Sequence, residues 1–497
     1  MSWLIVLPLI IPLTTALLCL VVPYRRAQRY FSLVGALALL AAALTLLNQV
    51  GQRGISAVQI SDWQAPFGIT FVADHLSALM VVVTGIVALA VALYALAAND
   101  TAREALGYYA LTNFLLVGVN GAFLTGDLFN LYVWFEVLLL SSFVLMVLGG
   151  DKAQLSGGVK YFAVSLLSSV LFLSAVGLLY GATGALNLAD LATRVQEVPT
   201  GLLSALAMLF LVAFGLKAAV FPFFFWLPAS YPAPPAMISA LFAGLLTKVG
   251  VYALIRVFTL LFTHETAFTH SVILWIAGLT LLLGVLSALA QGEIRRILSF
   301  QLVSHIGYML MGLGILTPLA LTGSVFYALN HMIIISALFL IAGLIYRLQG
   351  TGVLVSLGGL YRSHPWLAVL FLLPALSLAG IPPFSGFWAK LTLVTAGLQA
   401  EQYWIVAAAL LVGLLTLLSM GIVFAEAFWK NPPPKSYRFT PGATGGWFAL
   451  TLPIAGLVLL SVGIGLWADP LLRLSQTAAQ ELLDPSQYIQ VVLGVSR

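Results

Sequence analysis

The stretch LFNLYVWFEVLLLSSFVLMVL, residues 128–148, decides the class of fold to which this chain belongs. It contains a single charged side chain, Glu136, near its middle. About 20 consecutive apolar residues are what a helix needs to cross a bilayer, whereas the helices of soluble proteins keep a polar face. The segment therefore predicts a transmembrane helix that carries an acid within it.

Similar apolar runs follow one another along all 497 residues. Only 7% of the residues are charged, against about 25% in soluble proteins. This composition excludes a cytosolic enzyme, a nucleic-acid-binding protein and a disordered chain. The sequence predicts an all-α, polytopic membrane protein of about fourteen transmembrane helices without a soluble domain. The predicted spans are 2–22, 31–49, 77–97, 106–125, 128–148, 159–182, 201–221, 237–260, 271–289, 298–316, 319–346, 366–398, 403–428 and 446–467.

The basic residues of the predicted loops are divided unevenly between the two sides of the membrane. Lys and Arg concentrate in the cytoplasmic loops of membrane proteins. The richer side holds Arg25, Arg26, Arg29, Arg103, Lys152, Lys160, Arg295, Arg296, Arg347, Arg362, Lys430, Lys435 and Arg438. The poorer side holds Arg53, Arg194, Arg256, Arg473 and Arg497. We therefore predict a multi-pass protein of the cell membrane whose N-terminus and C-terminus both lie outside.

The three lysines assigned to neither side, Lys217, Lys248 and Lys390, lie inside predicted spans, and one acid, Glu136, lies in the middle of a span. A charge at the centre of a membrane helix costs about 2.5–3.5 kcal/mol on insertion scales, so each of them needs a reason. Burial disfavours the charged form of lysine, which can then release a proton, whereas arginine keeps its charge. One acid cannot neutralise three bases, so ion pairing alone explains the set poorly. The pattern indicates a buried proton path.

Two histidines, His305 and His331, also fall within apolar spans. Histidine titrates near neutral pH and can pass a proton through its two ring nitrogens. A structural role and a relay role are both open for each of them. Their spacing and the lack of a nearby acid predict that they hold no metal ion. His264, His270 and His364 fall in or beside loops, and we expect them to be solvated.

Two clusters of prolines interrupt predicted spans beside buried lysines. AVFPFFFWLPASYPAPPAM (219–237) follows Lys217, and LPALSLAGIPPFSGFWAKL (373–391) contains Lys390. Proline breaks a helix, and irregular backbone at membrane depth is tolerated only against protein or a watery cavity. Paired interrupted helices in the two halves of a transporter point to an ion site, although ordinary kinks are the alternative. We expect helix breaks at Pro222, Pro228, Pro382 and Pro383.

The spacing of these residues predicts an internal repeat. Lys217 and Lys390 are 173 residues apart, and Glu136 and His305 are 169 residues apart. Similar offsets indicate a duplicated unit of five helices, which must be inverted because five is odd. The predicted division is 1–105 for helices 1–3, 106–260 for the first repeat, 271–428 for the inverted second repeat, and 429–497 for the last helix and the tail. Each repeat contains one proline-broken helix.

At these motifs the sequence resembles a known family over nearly its whole length. The family comprises the antiporter-like subunits of respiratory complex I, of membrane-bound hydrogenases and of the multisubunit Mrp cation/proton antiporters. The segments that carry the resemblance are GDLFNLYVWFEVLLLSSFVLMVLGG (126–150), WLPASYPAPPAMISALFAGLLTKVGVYALIRVF (226–258), QGEIRRILSFQLVSHIGYM (291–309) and LSLAGIPPFSGFWAKL (376–391). The ASYPAPP stretch is similar to the D-subunit branch of the Mrp antiporters, whereas NADH dehydrogenase subunits usually carry an Asp-Ala-His type sequence there.

The resemblance implies two inverted repeats and a role for each buried charge. Glu136 and Lys217 match the charged pair of the family, and Lys248 matches its central relay lysine. Lys390 matches the terminal lysine of the second half-channel.

The resemblance also bears on the two buried histidines. His331 matches a polar relay position, and His305 lies on the preceding span. The sequence departs from the family at Ile335, where many relatives have a lysine. A continuous side-chain relay is therefore not assured in the second half, where water or Ser336 would have to bridge.

The sequence thus predicts the proton-translocating subunit of a multisubunit Na+/H+ antiporter, a secondary transporter rather than an enzyme. The implied partners are other membrane subunits, protons, sodium and the lipid bilayer, but no nucleic acid. No motif for a nicotinamide, an iron–sulfur cluster, ATP or a metal is present, so no cofactor is expected. Two alternatives stay open: a proton-pumping membrane subunit of an NADH dehydrogenase or membrane-bound hydrogenase, and a passive scaffold whose charges lock helices together.

Overall fold

The computed structural model describes residues 3–60, 63–98, 101–431 and 447–494. Three of the basic residues in the charge count, Lys435, Arg438 and Arg497, lie outside the described residues. Most of the predicted loop 430–445 does so as well.

Twelve helices in the described part of the chain are long and apolar enough to cross a membrane. They are α1 (Trp3–Val21), α2 (Arg25–Arg53), α3 (His75–Ala98), α6 (Leu128–Val147), α7 (Lys152–Thr183), α9 (Thr200–Ala218), α11 (Ala236–Leu260), α12 (Thr266–Leu289), α13 (Ile294–Ile315), α14 (Pro318–Gln349), α18 (Tyr403–Phe424) and α19 (Trp447–Leu466). Two shorter apolar helices, α5 (Tyr108–Leu124) and α16 (Pro365–Ala379), lie where the fourth and twelfth spans are predicted. The prediction of an all-α, polytopic membrane protein is confirmed.

Shorter elements link these helices. The remaining α-helices are α4 (Thr101–Ala105), α8 (Leu188–Arg194), α10 (Trp226–Ser230), α15 (Leu360–Ser363), α17 (Ser385–Gln399), α20 (Asp469–Leu483) and α21 (Ser486–Leu493). Val195–Glu197 and Leu354–Ser356 form 3-10 turns, and Ala425–Trp429 extends α18 as a π-helical turn. The loop before α3 contains an antiparallel hairpin of β1 (Ser56–Gln59) and β2 (Thr70–Ala73), which the sequence does not predict.

Acidic side chains cap two of the spanning helices. Asp127 accepts a hydrogen bond from the Asn130 amide at the start of α6 (2.7 Å), and Glu293 accepts one from the Arg296 amide at the start of α13 (2.8 Å). The first amides of a helix have no partner within it, so a carboxylate there satisfies one of them. Burial raises the pKa of Asp127 to about 6, although the backbone amides act in the opposite direction.

The centre of the molecule consists of α11, α13 and α14. Every residue of α11 is buried, as is every residue of α14 from Ala320 to Ile345. Helices α1, α2 and α7, in contrast, expose more than half of their apolar windows and form part of the outer surface. Polar side chains on the central helices are therefore enclosed by protein rather than by lipid. The division into two inverted repeats stays a prediction.

Ion pairs and hydrogen bonds identify helix ends that lie on one side. Asp74, just before α3, pairs with Arg256 near the end of α11, and His75 pairs with Glu481 of α20. On the opposite side, Arg347 donates to the carbonyl of Ala97 (3.1 Å). These contacts agree with the predicted alternation of crossings. Arg256, which the count of basic residues assigns to the outer side, lies within α11 and is buried.

Candidate functional site

Glu136 lies at the rim of the chain. Its neighbours on the same face of α6, Val133 and Leu140, are 37% and 58% exposed. The Glu136 side chain is half-buried, and its Oε1 atom is buried without a hydrogen-bond partner among the described residues. The acid therefore lies between the interior of the chain and a surface that lipid or a neighbouring subunit covers.

Lys217 lies in the last turn of α9 and faces an aromatic cluster. Its Nζ atom is 5.7 Å from the ring centroid of Phe135, the residue that precedes Glu136. This Nζ atom is buried and has no hydrogen-bond partner within the described chain. The charges of Glu136 and Lys217 are close enough to interact, but the two groups do not form a contact ion pair. The two side chains are therefore neighbours without a direct hydrogen bond.

The first proline cluster forms a break after α9, although not at both predicted prolines. The helix ends at Ala218, and Ala219 has a left-handed φ of 59°. Pro222 lies in the non-helical stretch before α10. The sequence also predicts a break at Pro228, but this proline lies inside α10 as its third residue. Proline is tolerated there because the first amides of a helix have no internal partner.

The second proline cluster separates α16 from α17. Pro382 and Pro383 lie in the non-helical link between the two helices. The ammonium of Lys390, on α17, donates to the carbonyl of Ala379 (2.9 Å), the last residue of α16. The final carbonyls of a helix lack partners and carry the negative end of the helix dipole. The break thus provides an acceptor at membrane depth for the buried lysine.

Lys248 is the most enclosed of the three lysines, with 0% of its surface exposed. Its Nζ atom donates to the carbonyl of Ala243 on the same helix (2.6 Å). Two residues further along α11, Gly250 packs directly on the end of α9, where an added Cβ would lie 2.7 Å from the Ala218 amide nitrogen. Because Lys217 precedes Ala218, this contact places the first lysine beside the helix that carries the second.

The two predicted relay histidines are stacked on each other at the centre of the molecule. The rings of His305 and His331 are 5.4 Å apart between centroids and inclined by 20°. Both are within electrostatic range of Lys248 and of Lys390. Neither ring nitrogen of His331 has a hydrogen-bond partner among the described residues. The histidines thus lie between the central lysine and the terminal one.

Two tyrosines that the sequence analysis did not single out complete this cluster. The Nδ1 atom of His305 is hydrogen-bonded to the hydroxyl of Tyr327. The Tyr327 ring stacks on that of Tyr308, with centroids 4.9 Å apart, and the Nζ atom of Lys390 lies 4.6 Å from the Tyr308 centroid. Helical spacing could have indicated them, because Tyr308 is three residues after His305 and Tyr327 is four residues before His331.

These buried side chains form a row from Lys248 to Lys390, in which the rings pack against one another and Lys248 lies within electrostatic range of both histidines. We call it the lateral file, and its members are Lys248, His331, His305, Tyr327, Tyr308 and Lys390. Lysine, histidine and tyrosine can all give up and accept a proton. The lateral file therefore brings groups that can exchange protons close together in the plane of the membrane, although the hydroxyl of Tyr308 itself donates to the carbonyl of Ala409 (2.5 Å).

The place at which a family lysine is missing is closed to a bridging side chain. Ile335 is fully buried in α14. The hydroxyl of Ser336 donates to the carbonyl of Ala240 on α11 (3.1 Å), so it joins two helices and does not point along the file. The stacked histidines, rather than Ser336, lie within electrostatic range of both lysines.

A second buried charge cluster was missed because its residues lie near predicted span ends. Arg256 and Asp74 form an ion pair of 2.5 Å, and their side chains are 8% and 2% exposed. The guanidinium also lies 5.4 Å from the ring centroids of both Tyr252 and Tyr488. The available signal was an arginine near the end of one apolar span and an acid just before the start of another.

The other histidines differ in exposure. His264 is exposed and His364 is partly exposed. His270, which we expected to be solvated, is instead buried in α12 and hydrogen-bonded to Thr269, because the helix begins four residues before it. No group of three or more His, Cys, Asp or Glu residues in the described ranges is arranged to hold a metal ion.

The central part of the chain matches a known protein family. Residues 125–416 fit the transmembrane family described as NADH:quinone oxidoreductase/Mrp antiporter. The matched region contains Glu136, the three buried lysines, both stacked histidines and both tyrosines of the lateral file.

Comparisons with individual proteins extend this likeness over the whole chain. The chain is 46% identical to the D subunit of the Na(+)/H(+) antiporter of Alkalihalophilus pseudofirmus, with 99% of this chain and 100% of that protein covered. A chain of the Mrp complex from Dietzia sp. superposes with a TM-score of 0.92 at 35% identity, over 99% of this chain and 100% of that one. A chain of respiratory complex I from Thermus thermophilus gives 0.82 at 26% identity, over 96% and 99%.

Proposed function

The chain belongs to the NADH:quinone oxidoreductase/Mrp antiporter family, and we propose that it is the D-type subunit of a multisubunit Na+/H+ antiporter. It is then a secondary transporter subunit that works with other membrane subunits of the same complex. The match to a subunit named for sodium/proton exchange covers the full chain, and the likeness to an Mrp complex exceeds that to complex I. These comparisons favour the antiporter over a proton-pumping redox complex.

The observation that carries the proposal is the lateral file. It places groups that can exchange protons end to end through helices that are enclosed on every side. A purely structural set of charges would be paired, because unpaired buried charges destabilise a fold. The three lysines are instead held by backbone carbonyls or by aromatic rings alone.

Protons enter this path near Lys217 and Lys248, cross laterally through His331 and His305, and leave near Lys390. The carboxylate of Glu136 holds the proton on Lys217 by attraction when the two side chains approach. When they separate, the enclosed ammonium loses this support and passes its proton towards Lys248. The two groups are adjacent but not bonded, so a side-chain movement would be enough to bring them into contact.

The rim position of Glu136 offers a means of coupling to a partner. A positive charge on a neighbouring subunit would draw the half-buried carboxylate away from Lys217 and so trigger proton release. The sodium ion would move in another part of the complex, because Glu136 alone is a poor cation cage. The two termini lie outside the cell in this scheme, as the distribution of basic residues predicts.

Substitution of Lys217 in the assembled complex tests the proposal. Lys217→Arg keeps the positive charge but cannot release a proton, so pH-gradient-driven sodium transport in vesicles should fall to background. Glu136→Ala should do the same, while both complexes assemble normally. The control is Lys160→Arg, the same exchange at an exposed position of α7. Wild-type transport by Lys217→Arg would rule out a proton-carrying role for Lys217.

A further inference from the structure

The C-terminal half of α11 carries polar residues from Lys248 towards the predicted outer side. Tyr252 and Arg256 follow Lys248 at intervals of four residues, which places them about 6 and 12 Å further along the helix axis. Residues four apart share a face of a helix. If these residues conducted protons, protons from Lys248 could reach the outer side without passing through the lateral file. The proton gradient would then be dissipated.

The hydrogen bonds of the Tyr252 hydroxyl prevent it from passing a proton onward. Its hydroxyl donates to the carbonyl of Phe123 (2.7 Å) and accepts a bond from Nη2 of Arg256 (3.2 Å). A peptide carbonyl does not pass a proton on, and a guanidinium does not give one up in proteins. The Phe123 ring packs edge-on against that of Tyr252, with centroids 5.0 Å apart, and holds it in this position.

Arg256 is itself fixed in place by its surroundings. Asp74 pairs with its guanidinium at 2.5 Å, and Oδ1 of Asp74 accepts a bond from the Ser77 amide (2.8 Å). The rings of Tyr252 and Tyr488 each lie 5.4 Å from the guanidinium carbon. Burial raises the pKa of Tyr488, which lies outside the spanning segments, so its hydroxyl stays protonated. The cluster is charged and unable to release a proton at any point.

The C-terminal helices α20 and α21 hold this cluster in place. Tyr488 belongs to α21, and Glu481 of α20 binds His75, the residue after Asp74, through both the ring Nδ1 (2.7 Å) and the backbone amide (3.0 Å). The tail helices therefore anchor the same end of α3 that supplies the carboxylate to Arg256.

We propose that Tyr252, Arg256 and Asp74 form an outer seal, which blocks proton flow from Lys248 to the outer side and directs protons into the lateral file. The outer seal rests on the proposed function, since it matters only if Lys248 carries protons. It acts by a guanidinium that keeps its protons and by hydrogen bonds that point in one direction. The lateral file differs at its centre, because the bond between His305 and the Tyr327 hydroxyl joins two groups that can reverse donor and acceptor roles.

Proton leakage through the intact complex in sealed proteoliposomes tests the outer seal. The decay of an imposed pH gradient is followed in the absence of sodium, so that sodium/proton exchange does not contribute to it. The double variant Asp74→Asn with Arg256→Gln removes both charges and leaves no unpaired one. It should collapse the gradient about tenfold faster than the wild type. The matched control makes the same exchanges at an exposed pair of α20, Asp469→Asn with Arg473→Gln, and should not leak.

A second variant covers the case in which the double variant does not assemble. Arg256→Lys keeps the charge opposite Asp74 but introduces a group that can release its proton, so it should leak as well. If a variant that assembles leaks protons no faster than the wild type, the proposed outer seal is wrong.

Adding Lys248→Ala to the leaking variant distinguishes two causes of leakage. One is a proton path that starts at Lys248, and the other is a general loss of helix packing. The extra leak should disappear, because protons then lack their source at Lys248. A leak that persists would mean general loosening and would overturn the outer seal. Lys248→Ala alone tests the relay: full sodium-dependent exchange in that variant would overturn the proposed function, whatever the leak measurements give.

Discussion

The imidazole of His305 is stacked on that of His331 and bonded through Nδ1 to the hydroxyl of Tyr327. This arrangement connects α13 to α14 at the centre of the molecule, between Lys248 and Lys390. It is the arrangement that, in the proposed relay, takes the place of the lysine missing at Ile335.

Tyr327→Phe removes the hydroxyl and keeps the ring. We expect sodium-dependent proton exchange to slow by about tenfold, the change for a barrier raised by roughly 1.4 kcal/mol, because His305 loses its bonded partner. Exchange is measured by fluorescence quenching in vesicles that contain the assembled complex. Tyr180→Phe, at an exposed position of α7, is the control. An unchanged rate would remove Tyr327 from the proton path.

Gly250→Ala places a methyl group against the backbone of Ala218 and forces α9 away from α11. Transport should fall because Lys217 moves relative to Lys248, while the amount of assembled complex decreases only moderately. Gly177→Ala on α7 is the control, since a Cβ there meets no other atom. Equal transport by the two variants would contradict the idea that this helix contact sets the lysine spacing.

Ile335→Lys restores the residue type of many relatives at a fully enclosed position. The new ammonium would be cut off from water, because every residue of α14 from Ala320 to Ile345 is buried. We expect loss of most of the assembled complex, because a buried lysine costs about 2.5–3.5 kcal/mol on insertion scales. Ile335→Met keeps volume and polarity and should assemble. Normal assembly of Ile335→Lys would show that the site can be hydrated.

Asp127 should make the stability of the complex depend on pH. Burial raises its pKa from 3.8 to about 6, so the folded state binds the proton more tightly than the unfolded state. This group therefore adds stability below pH 4 and loses that contribution as pH rises through about 6, by at most about 3 kcal/mol. The melting temperature of the purified complex, compared with that of Asp127→Asn, measures the effect between pH 4 and 7. Parallel curves for the two proteins would contradict it.

The membrane architecture could be predicted in advance, because an apolar span must satisfy its backbone internally and so must be a helix. Scarcity of charge also identified Lys217, Lys248 and Lys390, since a charge in an apolar span is visible without any coordinates. Tyr308, Tyr327 and Tyr252 could not be recognised in this way. A tyrosine fits both lipid-facing and buried positions, so only its neighbours give it a role.

The sequence by itself determined the class of fold, the family and which lysines are buried, because hydrophobic length and charge cost act locally along the chain. Only the tertiary structure decided which of these groups meet. The stacking of His305 on His331 and the pairing of Asp74 with Arg256 join residues that are 26 and 182 positions apart in the sequence. Such contacts depend on the direction in which each helical face points after packing, and that direction depends on all the neighbouring helices together.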